Sequence, residues 1–246
     1  MKKFLIALFA AVSAFAGNGT VSLSPAVVML RGEAGQNTTQ TLTLRNATSR
    51  AMSFDVVAQD VVVRNGARAF VDAGQIPGSI AATAVFSERH IKVQPGSSAT
   101  ITARFTIPPN ASSRAVVAFF RGADNIHNAT YSVGSLLTFT LSDNTTLATS
   151  ALQVEAQSAS SNLAVAQTCT NSGSEPLVAK GMLAVIGEDG RIAGKAALAP
   201  RRLLPGERAE LGAQYGAELQ PGRYRVLVTY DYEGRSSTQS ADVTIR

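Results

Sequence analysis

The sequence predicts an all-β protein, two tandem immunoglobulin-like β-sandwich domains behind an N-terminal signal peptide. Three observations carry that expectation. A turn-punctuated pattern occurs once in each half: Gln94-Pro95-Gly96-Ser97 leading to Arg114-Ala115-Val116-Val117, and Leu204-Pro205-Gly206-Glu207 leading to Tyr224-Arg225-Val226-Leu227. The Pro95-to-Arg114 spacing equals the Pro205-to-Tyr224 spacing. Hydrophobicity alternates with a period of two through most of the chain, the signature of half-buried strands. No segment after the first sixteen residues shows a helical period. A strand set repeated every ~100 residues matches one sandwich module per repeat.

The elements follow in order. Residues 1–16 form the signal peptide: Lys2 and Lys3 give the charged start, Phe4 to Phe15 the short apolar run, and Ala14-Phe15-Ala16 the cleavage site. Residues 17–142 form the first sandwich. Its opening strand, Thr20 to Leu30, is interrupted by Pro25, which suits an edge or a strand that changes sheets. Leu42 and Leu44 alternate with Thr41, Thr43 and Arg45; Met52, Phe54 and Val56 alternate with Ser53 and Asp55. Asn65-Gly66 between two apolar runs predicts a hairpin turn. Gly74 to Ser87 lacks a period and reads as a loop or short helical turn. Ile101, Ala103, Phe105 and Ile107 make the clearest strand, followed by Arg114 to Arg121 and Tyr131 to Leu141.

Residues 143–150, polar and short, read as an interdomain linker. Residues 151–246 form the second sandwich, with about seven strands. Leu219-x-Pro221-Gly222-x-Tyr224 predicts a tyrosine corner, in which the phenol ties a sandwich corner to upstream backbone.

Composition narrows the function. The single cysteine, Cys169, closes no internal disulfide and lies in an alternating run that predicts a small buried side chain. The formal net charge of +5 falls by two when Lys2 and Lys3 are removed, and the remaining basic residues are scattered without a basic, aromatic-interleaved stripe for nucleic acid. After the signal peptide no apolar run reaches the ~18 residues needed to span a bilayer. The two histidines, His90 and His127, sit in unrelated patterns, and no His/Cys/Asp/Glu spacing suggests a metal. A nucleophile elbow and a phosphate-binding glycine loop are also missing. No enzyme activity and no cofactor are expected. Six Asn-x-Ser/Thr triplets, at Asn18, Asn37, Asn46, Asn110, Asn128 and Asn144, read as turn chemistry rather than glycosylation sites.

The exported pair of sandwiches, with Val21-Ser22-Leu23-Ser24-Pro25, Leu42-Thr43-Leu44-Arg45-Asn46 and Val93-Gln94-Pro95-Gly96 through Ile107-Pro108-Pro109, resembles the PapD-like periplasmic chaperones of pilus assembly. The resemblance implies a chaperone-like protein in the periplasm, pilus or surface-protein subunits as partners, an outer-membrane usher nearby, and no nucleic acid. It also implies a donor strand at Ser132 to Leu141, whose alternate residues Val133, Ser135, Leu137, Phe139 and Leu141 would fill a partner's groove. The same period fits a strand that faces its own domain's core. Family members hold a subunit carboxylate with an Arg and a Lys in the interdomain cleft. The chain has no matching motif, and Arg31, Arg45 and Arg121 stand as basic candidates. Ala111-Ser112-Ser113-Arg114 replaces the family's Arg-Glu-Ser. The alternative reading is a non-catalytic adhesion or scaffold module, at the cell surface, extracellular or periplasmic, contacting partners through loops such as Gly74 to Ser87. A carbohydrate-binding accessory subunit is a third reading, weakened by the lack of Trp.

Overall fold

The computed structural model describes residues 20–124, 129–157 and 162–246. The expected signal peptide, Asn18, His127 and Asn128 lie outside the described residues. The described chain is all-β apart from one 3₁₀ turn, Ala81–Thr83, inside the segment expected to hold a loop or helical turn. It divides into two units: residues through Val62 with Arg68–Asp143, and Asn144–Arg246 with the hairpin tip Val63–Ala67.

The first unit packs two sheets. One has the order β1 (Val21–Ser24), β3 (Asn37–Asn46), β8 (Ser98–Thr106), β6 (Val85–Phe86). The other runs β2 (Val27–Arg31), β10 (Ala129–Thr140), β9 (Ala115–Asp124), β4 (Met52–Arg64), β5 (Ala67–Asp72), with β7 (His90–Val93) also on β4. Pro25 accounts for the first strands falling in different sheets. It cannot continue a ladder, and the cis Ser24–Pro25 bond marks where the chain leaves β3 in one sheet and joins β10 in the other. The alternation read from sequence becomes the core between the sheets: Leu42, Leu44, Ile101, Ala103 and Phe105 from one, Phe54, Val116, Ala118, Phe120, Leu137 and Phe139 from the other. Phe105 meets both Phe86 and Phe139 edge to face, with ring centroids 6.4 and 5.8 Å apart, a favoured aromatic geometry.

At Asn65-Gly66 both residues take positive φ, 53° and 80°. That is the geometry for which a two-residue hairpin selects Asn-Gly. The loop after β5 is tied down by a buried carboxylate. Ser79 Oγ donates to Asp60 and accepts from the amides of Gly74 and Ala82, while Asp60 also takes the Ala81 amide. The segment expected to make partner contacts is therefore pinned to its own sheet at its centre.

In the second unit β13 (Asn162–Asn171) carries β11 (Leu147–Thr149) and β12 (Gln153–Gln157) along one edge and β16 (Arg208–Tyr215) along the other. The opposing sheet has the order β15 (Ile192–Leu203), β14 (Leu177–Gly187), β17 (Gly222–Tyr232), β18 (Arg235–Ile245). The segment expected to be a linker thus contains a strand, β11, with Leu147 in the core. Its polar sequence hid a three-residue strand with one buried side chain. Tyr224 forms the tyrosine corner, its hydroxyl donating 2.8 Å to the Gln220 carbonyl.

Cys169 is fully buried on β13. Burial pushes its thiol above the ordinary value, and an interaction with Tyr230 opposes the rise. Burial, then the neighbouring Cys169, pushes the Tyr230 phenol up too. Tyr230 Oη lacks a full hydrogen-bond partner, and a contact with sulfur is a weak substitute for one.

A candidate partner-binding edge

β10 has two halves with different neighbours. Along one side the strand pairs antiparallel with β9 from Ala129↔Asp124 to Thr138↔Ala115. Along the other, Leu136 to Thr140 pair in parallel with Val27 to Arg31 of β2. Among the described pairings, none occupies that side over residues 129–135. The boundary is marked by two hydrogen bonds: Leu136 N–H donates to the Ala26 carbonyl at 2.9 Å, and Ser135 Oγ donates to the Pro25 carbonyl at 2.7 Å.

The direction of the free groups follows from the pleat. Leu136 N–H and Thr140 C=O both point to the β2 side, the latter accepting from Gly32 N–H. Backbone groups alternate sides along a strand, so the N–H and C=O of Thr130, Ser132 and Gly134 face the unpaired edge. An extended segment of another chain has six backbone groups to pair with there.

The five strand residues expected as a comb are placed as follows. Ser135, Leu137 and Phe139 are fully buried, and Val133 and Leu141 pack against the same core. The expectation of an exposed apolar strand is corrected for Leu137, Phe139 and Leu141. Their side chains fill their own sandwich, and β2 occupies the backbone edge from 136 to 140. Only Val133 and Ser135 lie in the open half, joined by Tyr131, which is exposed. Sequence reasoning missed Tyr131 and the division of the strand. Gly134 inside an apolar run was the available signal, since a strand glycine often marks a close approach.

The three basic candidates do not meet. Arg31 and Arg121 lie on the outward face of the β2–β10–β9 sheet, but Arg31 is level with Thr140 and Arg121 with Ser132. Eight residues of strand separate these levels, about 27 Å. Arg45 is on β3, facing outward from the opposite sheet. Arg31 pairs with Asp143 at 2.6 Å, both exposed. Arg121 donates to Gln59 at 2.9 Å and its guanidinium stands 5.2 Å from the Phe119 ring centroid. The alternation that places a strand's residues on opposite faces separates side chains that the sequence cannot rank by depth or sheet.

His90, exposed at the start of β7, is within hydrogen-bonding distance of exposed Asp55. Among the described residues no three His, Cys, Asp or Glu side chains cluster as a metal site. Among them, too, no helix is long and apolar enough to cross a membrane. A shallow depression at one end of the second unit is bounded by Asp189, Arg191, Ile192, Pro221 and Arg223.

No family model and no curated protein matches the chain. Solved structures do. The class 5 fimbrial chaperone CfaA is similar at 11% identity and a TM-score of 0.45, covering 92% of this chain and 99% of its own. The Pseudomonas aeruginosa chaperone CupB2 is similar at 12% identity and 0.45, covering 92% and 100%. The E. coli chaperone DraB is similar at 14% identity and 0.40, covering 94% and 98%.

Proposed function

We propose that this protein is a chaperone-like binder of incomplete β-proteins, pairing a partner strand with residues 129–135 of β10. One observation carries the reading: a strand whose second half is capped by the chain's own β2 and whose first half has no second strand on that side among the described residues. Strand addition draws general affinity from main-chain hydrogen bonds and specificity from alternate side chains. Tyr131 and Val133 supply the inward-facing alternates. An open edge of this kind is an aggregation hazard that natural proteins usually blunt, so its retention fits use by a partner. The partner class is the one the sequence resemblance names, pilus or surface-protein subunits, with the periplasm as the site of action.

Ser132→Pro tests this. The Ser132 N–H faces the unpaired edge, so proline removes a donor offered to a partner while sparing the β9 ladder. Tagged wild-type protein isolated from the periplasm of its own host should carry a small secreted subunit. The proline variant, with unchanged circular dichroism and melting temperature, should not. Equal recovery of the same subunit on both proteins would defeat the reading.

A further inference from the structure

The open half of β10 is low on its outward face. Inward alternation of Val133, Leu137 and Phe139 puts Ser132, Gly134 and Leu136 outward. Gly134 lies directly across from Phe119 on β9, and the ring leans over it: a Cβ at Gly134 would come within 2.7 Å of Val117 Cγ1 and 3.1 Å of Phe119 Cδ1 and Cε1. An aromatic side chain covering a strand glycine is a known cross-strand arrangement. Here the glycine is the last outward residue before β2 takes over the edge, so the ring's cover extends toward the unpaired side.

The same ring has two further neighbours. Phe70, 56% exposed, meets Phe119 edge to face with centroids 5.2 Å apart, and the Arg121 guanidinium stands over the ring, 5.2 Å from its centroid. Next along the edge are Leu136 and Val27, paired neighbours with Val27 39% exposed. A strand added to residues 129–135 would run in line with β2, and its outward residue beside Gly134 would sit in a slot. Phe119 and Val117, which cover Gly134, are its side wall, and Val27 with Leu136 its end.

Resting on the strand-addition reading, we infer that Phe119 selects the partner's side chain beside Gly134, and that this side chain is large and apolar, aromatic or long aliphatic. A small or charged residue there would leave Phe119 and Val27 half wet. A bulky apolar one removes their surface from water and stacks on the ring without competing with a β10 side chain.

A phage-displayed random dodecapeptide library, panned on wild-type protein and counter-selected on Ser132→Pro, supplies the probe. The recovered peptides should alternate in polarity and share one bulky apolar position. Replacing that residue by serine should weaken binding to wild type by about fivefold to tenfold. It should change binding to Phe119→Ala by less than about twofold, and Val27→Ser should give an intermediate loss. Edge-dependent peptides that bind Phe119→Ala and Val27→Ser with the wild-type preference would overturn the slot and leave strand addition standing. If no peptide distinguishes wild type from Ser132→Pro, both fall.

Discussion

Asn46 and Asn171 occupy the same position in the two sandwiches and make the same hydrogen bonds. Each is fully buried at the end of its strand. Asn46 Nδ2 donates to the carbonyls of Arg50 and Val93, and Asn171 Nδ2 to those of Glu175 and Leu203. Asn46 Oδ1 accepts from the Thr48 amide, Asn171 Oδ1 from the Gly173 amide. Their own amides donate to Ser97 and Glu207, the closing residues of the two Pro-Gly turns. The internal repeat is thus a shared clamp: a buried amide fastens one turn to the strand before the other. It also removes Asn46 from any role as a glycosylation acceptor, since its side chain is internal and fully engaged.

Replacing Asn46 by alanine removes the buried amide donor from the Val93 carbonyl, and replacing Asn171 removes it from the Glu175 and Leu203 carbonyls; the Arg50 carbonyl, on an exposed residue, keeps the Thr48 hydroxyl. Each buried unsatisfied group costs roughly 1–3 kcal/mol, so each variant should lose about 2 kcal/mol or more. The loss should appear in one unit only, read as the urea midpoint of the transition assigned to that unit by fragment-specific proteolysis.

Leu137 and Phe139 are core residues, so charge at either should unfold the first sandwich rather than merely abolish binding. Leu137→Ala should cost about 2–5 kcal/mol, the range for deleting a buried leucine's methyl groups. Chemical denaturation measures it. An unchanged midpoint would mean that the side chain is not packed where the structure places it.

The Cys169–Tyr230 pair predicts a stability loss in alkali. Folding raises both groups above their ordinary values, 9.0 for the thiol and 10.0 for the phenol. The folded state therefore holds its protons where the unfolded chain releases them. Their contribution is intact below about pH 9, falls as pH rises past the unfolded values, and goes on falling toward the raised folded ones. Melting temperatures of wild type and of Cys169→Ala/Tyr230→Phe between pH 8 and 11 should diverge, with wild type declining more steeply. The native thiol should also resist a soluble thiol reagent until the second unit unfolds.

Ser79→Ala should loosen the loop after β5. Its hydroxyl makes three hydrogen bonds, and Asp60 would lose its hydroxyl donor inside the sheet. A cost of roughly 2 kcal/mol is expected, with faster amide exchange at Gly74 and Ala82 than in wild type.

Much of this molecule could be read from particular residues. Alternation at Leu42–Leu44 and Ile101–Phe105 located the core, Pro25 located the change of sheet, Asn65-Gly66 the hairpin, and Tyr224 the corner. Each is a local rule with a local cause. The division of β10 was hidden because it depends on pairing Leu136–Thr140 with Val27–Arg31, far apart in sequence. Near residue 135 only Gly134 hints at a change, and a glycine does not tell which neighbouring strand begins or ends there. The same distance hid the burial of Asp60 and the scattering of Arg31, Arg45 and Arg121 over two sheet faces.

Where the chain crosses between sheets at Pro25 and Ala26, it stands against the end of β10's vacant stretch. On the strand-addition reading, this crossover closes one end of the stretch, its Pro25 and Ala26 carbonyls being already taken by Ser135 Oγ and Leu136 N–H. A partner strand of about seven residues, some 23 Å long, would stop there as against a doorstop, so that fixed backbone as well as side chains would limit its register.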